Sequence, residues 1–374
     1  MTQFSLNVLY YLVRIDIKYN LNLGGRCMSK TRIAINGFGR IGRMVFRQAI
    51  LHDDIEVVAI NASYPKETLA HLIKYDSVHG KFECDIEILE DGFDINGQKI
   101  LHCNSREPEK LPWKKLDVDI AIEATGKFNS KEGASLHLDA GAKKVIITAP
   151  GKNVDKTLVI GVNEETYDVN TDDVVSNASC TTNCLAPVVK ILDKHFGIKN
   201  GLMTTVHAFT SDQHSLDNPH KDLRRARASG ESIVPTSTGA AKALGEVLPH
   251  LNGKLHGMAL RVPSPNVSLV DLVVDVEKDV TIEEVNNAFR LEANSDYAEI
   301  IKYTEEPLVS IDYRTTEYSA IIDGLSTMVM DDRKVKIIAW YDNEWGYSAR
   351  VVDLIKYVGY QLSKSKEKEE VTIS

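Results

Sequence analysis

A β-rich run, Thr31-Arg32-Ile33-Ala34-Ile35-Asn36, leads directly into Gly37-Phe38-Gly39-Arg40-Ile41-Gly42, and an amphipathic stretch from Arg43 to Ile50 follows. Strand, glycine loop and helix in this order leave a chain few folds to choose from. Gly37 permits a tight turn, Gly39 lets backbone approach a pyrophosphate, and Gly42 lets helix pack on strand, with phosphate at the helix N-terminus. The loop motif alone is weak; its flanks turn it into a dinucleotide cradle. Ile55 to Asn61 reads as the next strand and completes a βαβ unit. A helix over 67–74, a β-rich excursion over 81–103 and buried strands over 118–126 and 143–150 continue the alternation. This predicts an α/β fold with a doubly wound parallel sheet. Ligands gather beyond the carboxyl ends of such strands, so Thr125, Gly126 and Thr148 are candidate cofactor neighbours.

At 374 residues the chain is long for one domain and comfortable for two. Hydrophobic content of 43% and charged content of 26% are those of an ordinary globular protein, and no apolar run is long enough to span a bilayer. A net charge of −9 gives no nucleic-acid footprint. Five cysteines, at 27, 84, 103, 180 and 184, form no disulfide framework, which suits a reducing cytoplasm. No Cys/His cluster suggests a metal. Residues 1–27 lack the layout of a secretory signal, and Met28 stands just before the first strand. We expect translation to begin at Met28 and 1–27 to lie outside the fold. The Lys/Glu-rich run 363–374 is expected to fray into solvent.

Ser176-Asn177-Ala178-Ser179-Cys180-Thr181-Thr182-Asn183-Cys184 joins a short strand, 173–176, to a helical pattern beginning near Cys180. The unpaired N–H groups and positive dipole end of a helix favour a thiolate, which predicts a downward shift from a thiol pKa of about 8.5. An isolated cysteine is more often a small buried hydrophobe, but the Ser/Thr/Asn surroundings argue against that here. Cys184, one turn on, reads as packing.

An Asp or Glu roughly twenty residues past the glycines normally meets the adenine-side ribose hydroxyls, whereas this chain has Asn61-Ala62-Ser63. A carboxylate there would repel a ribose 2′-phosphate by on the order of 4 kcal/mol at about 4 Å and an effective dielectric of about 20, before screening. Ala62 removes that repulsion, which points to NADP in preference to NAD. In the second half, His207 ends a β-branched run and would serve as base for a thiol if the two met in space. Asp222-Leu223-Arg224-Arg225-Ala226-Arg227 is a dense positive patch, and Ser237-Thr238-Gly239-Ala240 opens a helix. Both suit phosphoryl groups.

From about Met28 to Tyr360 the chain resembles glyceraldehyde-3-phosphate dehydrogenase. The resemblance is carried by the glycine loop, the Ser176–Cys184 run, His207-Ala208-Phe209-Thr210, Ser237-Thr238-Gly239-Ala240-Ala241-Lys242 and Trp340-Tyr341-Asp342-Asn343-Glu344-Trp345-Gly346-Tyr347. It implies a Rossmann-type cofactor domain, 28–179, joined by a C-terminal helix, 346–362. It also implies an α+β catalytic domain with a mixed or antiparallel sheet, 180–345. By resemblance Cys180 is the nucleophile that forms a thioester and His207 the base. Ser179, Thr181, Thr210, Arg225, Thr238, Gly239 and Arg261 match residues that hold phosphates. Gly37, Phe38, Gly39, Arg40, Ile41, Gly42, Asn61, Ala62, Arg106, Thr125, Gly126 and Thr148 match cofactor positions. Asn343 matches the group that orients the nicotinamide amide, and Tyr347 packs beside it. The family also implies a cytoplasmic homotetramer in which the loop between Thr210 and Arg227 reaches a neighbour's cofactor. Asn218, in that loop, stands where NAD-using members tend to be apolar; with Ala62 it resembles the NADP-preferring, gluconeogenic branch. Partners are then a phosphorylated aldehyde and inorganic phosphate. Erythrose-4-phosphate dehydrogenase, an NAD-dependent glycolytic enzyme and a non-catalytic binding role are the rival readings.

Overall fold

The computed structural model describes residues 30–295 and 297–373; the expectations for 1–27 and for Met28 lie outside them. Ile33, Ala34 and Ile35 are all fully buried, as a parallel strand covered on both faces requires. Thr31–Asn36 is the middle of a nine-stranded sheet, flanked by Ile55–Asn61 on one side and Ile120–Glu123 on the other, both parallel to it. Beyond Ile120–Glu123 come Lys144–Ile147, Val174–Ser176 and Lys156–Thr157, all parallel. Beyond Ile55–Asn61 come parallel Gln98–Cys103 and then the antiparallel pair Gly92–Ile95 and Ile86–Ile88. The chain changes direction across the sheet at the glycine strand, the place where such a sheet opens a crevice for ligands.

A second, mixed sheet runs Val234–Ser237, Leu255–Val262, Ile198–Ala208, Ser268–Val276, Lys334–Tyr341, Ala320–Asp323, Ile301–Thr304, with Met328–Met330 paired to Lys334–Tyr341. Its strands alternate: Val270, Leu272, Val274 and Val276 are buried while their neighbours are partly exposed. Apolar residues of the helix Cys180–Phe196 share the core with this buried face. Only three residues separate that helix from Val174–Ser176 of the first sheet, so one connection spans both layers.

The last helix, Trp345–Ile373, returns to the first sheet, where Gln48 Nε2 donates to the Trp345 carbonyl at 3.1 Å. It continues through the segment expected to fray. Neither Gly nor Pro interrupts the Lys/Glu run, both residue types are good helix formers, and Lys366 Nζ lies 3.5 Å from Asp119.

Candidate active site

The connection between the sheets presents the thiol. Ala178 adopts φ +53°, turning the chain sharply out of the sheet. Ser179 then caps the helix: its Oγ accepts the Thr182 N–H at 3.1 Å, an arrangement worth about 1 kcal/mol. Cys180 is thereby the first helical residue, its sulfur 3.4 Å from His207 Nε2. His207, on the strand Ile198–Ala208, is buried, and its Nδ1–H donates to the Ala208 carbonyl at 2.7 Å. That bond fixes the tautomer and turns the Nε2 lone pair toward sulfur.

Burial, helped by the Arg261 guanidinium, brings the His207 imidazole down to about 3. Burial also pushes the Cys180 thiol up, against Arg261 and bonds from Thr181. The direction is opposite to the expectation drawn from the helix end alone, and burial of the sulfur is its largest cause. Each group taken singly is neutral. A proton moving from Sγ to Nε2 makes opposite charges that support each other in a dry site, which is the geometry of a nucleophile with its base. Cys184 is buried in the core, its thiol also pushed up by burial.

Beside this pair lies a cationic arc. Arg261 Nη1 donates to Thr210 Oγ1 at 2.8 Å and to the Ala208 carbonyl at 3.2 Å, while its buried Nε has no hydrogen-bond partner among the described residues. Arg225 Nη1 meets Asp212 at 2.6 Å and its Nε donates to Thr236 Oγ1 at 3.0 Å. Asp212 also accepts the Thr210 hydroxyl proton, so one carboxylate ties Thr210 and Arg225 together. Thr238 Oγ1 accepts the Ala240 N–H at 3.2 Å, and the ideal side-chain position at Gly39 and at Gly239 alike is open. The Thr181 hydroxyl is turned inward to the Tyr341 OH at 2.9 Å.

The cofactor crevice opens at the carboxyl end of Thr31–Asn36. Helix Arg40–Ala49 starts without a side-chain cap, and the N–H groups of Arg40, Ile41 and Gly42 have no acceptor among the described residues. Uncapped donors beside the open surface of Gly39 fit a pyrophosphate, so the residues present suit a nicotinamide dinucleotide. The Arg40 side chain is otherwise engaged, bridging Asp76 and Glu344. Asn61 is committed to the fold: Nδ2 donates to Asn36 Oδ1 (2.6 Å) and the Ser105 carbonyl (2.8 Å), and Oδ1 accepts the Ser105 N–H (2.9 Å). Exposed Arg106 is the residue after Ser105 and follows Gln98–Cys103, the strand paired with the one that leads to Ala62. Thr125 and Thr148 both bond Glu123, through its carboxylate and its carbonyl respectively. Gly126 takes φ +71°. Asn343 is buried, and Tyr347 reaches the Ala178 carbonyl at 3.3 Å. No hydrogen bond or ion pair among the described residues joins Asn218 to Ala62.

Several participants escape sequence reasoning. Glu123 accepts from Asn36 at 2.6 Å and from His137 at 3.1 Å, and His137 in turn accepts the Trp113 N–H at 3.0 Å, a buried network under the crevice. Asp212 carries no signal in the sequence, Tyr341 only its place in the Trp340–Tyr347 run, and Ser268 a hydroxyl in the inward series of an alternating strand.

A dinucleotide crevice opposite a thiol–imidazole pair defines the class: an NAD(P)-dependent oxidoreductase that acts on an aldehyde. Residues 31–131 match the family model described as glyceraldehyde 3-phosphate dehydrogenase, NAD binding domain, and residues 179–343 match the C-terminal domain of the same family. "Glyceraldehyde-3-phosphate dehydrogenase 2" of Bacillus subtilis (strain 168) is 66% identical over 333 residues, 89% of this chain and 98% of the relative. The protein of the same name from Staphylococcus aureus (strain MRSA252) is 61% identical over 338 residues, 90% and 98%. The chain belongs to the glyceraldehyde 3-phosphate dehydrogenase family, the phosphorylating enzymes.

Proposed function

We propose that this enzyme interconverts glyceraldehyde 3-phosphate and 1,3-bisphosphoglycerate through a thioester on Cys180, uses NADP in preference to NAD, and works in the reducing, gluconeogenic direction. The observation that carries the covalent step is the 3.4 Å approach of Cys180 Sγ to an Nε2 whose tautomer is already set. In the oxidising direction Sγ bonds to the aldehyde carbon as its proton passes through His207 Nε2 to the carbonyl oxygen, giving a thiohemiacetal and returning His207 to its neutral form. His207 then takes the hydroxyl proton while the bound cofactor supplies the hydride acceptor. The resulting thioester is cleaved by phosphate oxygen, which releases the acyl phosphate and restores the thiol. General-base help of this kind is worth about 10²–10⁴ in rate.

Thr210, Arg225 and Arg261 grip one phosphate, and Ser179, Thr181, Thr238 and Gly239 receive the other. The uncapped helix at Gly37–Gly42 holds the pyrophosphate, with Phe38, Arg40 and Ile41 lining it. Asn61, Thr125, Gly126 and Thr148 shape the crevice. Asn343 orients the nicotinamide amide, with Tyr347 alongside. Absence of charge at Ala62 and an exposed Arg106 nearby support tolerance of a 2′-phosphate; Asn218 acts across a subunit boundary in a cytoplasmic homotetramer.

Comparison of kcat/KM for NADP and NAD on purified enzyme tests the reading. NADP is expected to be favoured, and Ala62→Asp to move the ratio toward NAD by about tenfold or more. A strong NAD preference in the unaltered enzyme would overturn it.

A further inference from the structure

We propose that Ser268 is a positioning residue: it fixes which way the Asn343 amide faces, and through it the orientation of the nicotinamide relative to the thiol. The inference rests on the reading of Asn343 given above. Ser268 is 1% exposed and shares its strand face with Val270, Leu272, Val274 and Val276. A hydroxyl in such a row is costly unless its bonding is complete. Its Oγ accepts the Ala208 N–H at 3.0 Å and donates its one proton to Asn343 Oδ1 at 2.8 Å.

That division of labour makes the amide directional. Turned over, Asn343 would present Nδ2 to a serine whose proton would then be left buried without an acceptor. In the observed orientation Nδ2 makes no hydrogen bond among the described residues and is available to a nicotinamide carbonyl. The backbone on either side is held too, since Asp342 accepts the N–H groups of Glu344 (2.9 Å), Trp345 (2.8 Å) and Thr315 (2.8 Å). Ala208, the residue whose N–H Ser268 accepts, is also the one whose carbonyl receives the His207 Nδ1–H. One hydroxyl therefore links the group that orients the cofactor to the backbone that sets the base.

Calorimetry with NADP and NAD, and with the fragments lacking nicotinamide, 2′-phospho-ADP-ribose and ADP-ribose, tests this. Ser268→Ala is expected to weaken both dinucleotides about three- to tenfold and leave both fragments unchanged. Transfer from reduced cofactor stereospecifically deuterated at C4 is expected to lose face selectivity in Ser268→Ala and keep it in Ser268→Thr, which retains the hydroxyl. Equal weakening of dinucleotide and fragment, or unchanged binding and face selectivity, would overturn the proposal. Asn343→Ala separates the two levels. If it leaks label and Ser268→Ala does not, only the role of Ser268 fails; if neither leaks, the reading of Asn343 fails with it. Circular dichroism checks folding, and Ser268→Cys, a weaker donor of similar size, takes the same measurements if the alanine variant does not fold.

Discussion

His207 is buried as a neutral base, and that has a consequence for stability as well as chemistry. Its folded value of about 3 lies below the ordinary 6.5, so between those values the unfolded chain binds the proton more readily than the folded one. Stability linked to His207 is therefore full above about pH 6.5 and falls as pH drops, by up to about 1.4 kcal/mol per pH unit. A thiolate at Cys180 would offset this by pairing with the imidazolium, so the effect is cleanest in Cys180→Ala. Urea denaturation between pH 7 and pH 5 is expected to show a steeper loss for Cys180→Ala than for Cys180→Ala/His207→Asn. His52, also lowered by burial, and the carboxyl groups of Asp76, Asp212 and Glu344, all held below the usual range, are common to both and cancel. Equal slopes would show that His207 is not held neutral. At this scale the sequence was a partial guide. Cys180 and His207 could each be singled out by local pattern, but their meeting depends on a helix and a strand that only the tertiary fold aligns. Asn61 matches a cofactor position in sequence, and the fold adds that its amide is held by Asn36 and Ser105, the latter a contact set by strand adjacency across 44 residues.

The unit strand–glycine loop–helix was legible because its steric demands are local, and they can be tested locally. A Cβ on Gly42 would come 2.1 Å from the Gly37 carbonyl oxygen, a distance no rotamer can relieve because both atoms belong to backbone. Gly42→Ala must push the helix off the strand or open the loop. The expected cost is about 1–3 kcal/mol of stability or more, with loss of dinucleotide binding larger than loss of thiol reactivity, since the thiol is presented by a different connection. Thermal denaturation and cofactor titration on one preparation check the two halves of that statement. An alanine variant with unaltered cofactor affinity would mean that the loop has slack the packing does not suggest. The C-terminal helix departs from its expectation for the opposite reason. Its charged run resembles a solvated tail by composition, yet composition fixes only that the segment is polar. Uninterrupted helix formers continuing from a docked helix keep the ladder going through Ile373.

At the scale of the whole molecule, the two faces of the mixed sheet differ. One shares a core with helix Cys180–Phe196; the other presents Leu202, Thr204 and Val206 with Met258, which stands opposite Thr204 across the strand pair. Leu202 is 67% exposed and Met258 42%, a concentration of large apolar side chains that a lone subunit would leave in water at a risk of aggregation. The same face carries the ion pairs Lys336–Asp271 at 2.8 Å and Lys334–Asp275, so it is a mixed surface of the kind that pairs with a second copy of itself about a two-fold axis. This face is the candidate for one contact of the proposed homotetramer. Leu202→Asp is expected to shift the sedimenting species from tetramer toward dimer or monomer while the far-UV dichroism stays that of a folded chain. Because Asn218 is proposed to act on a neighbour's cofactor, the same variant should lose NADP preference more than it loses thiol alkylation. A tetramer that persists in Leu202→Asp would move the interface elsewhere on the molecule, and a monomer with undiminished NADP preference would return that preference to Ala62 and its own subunit alone.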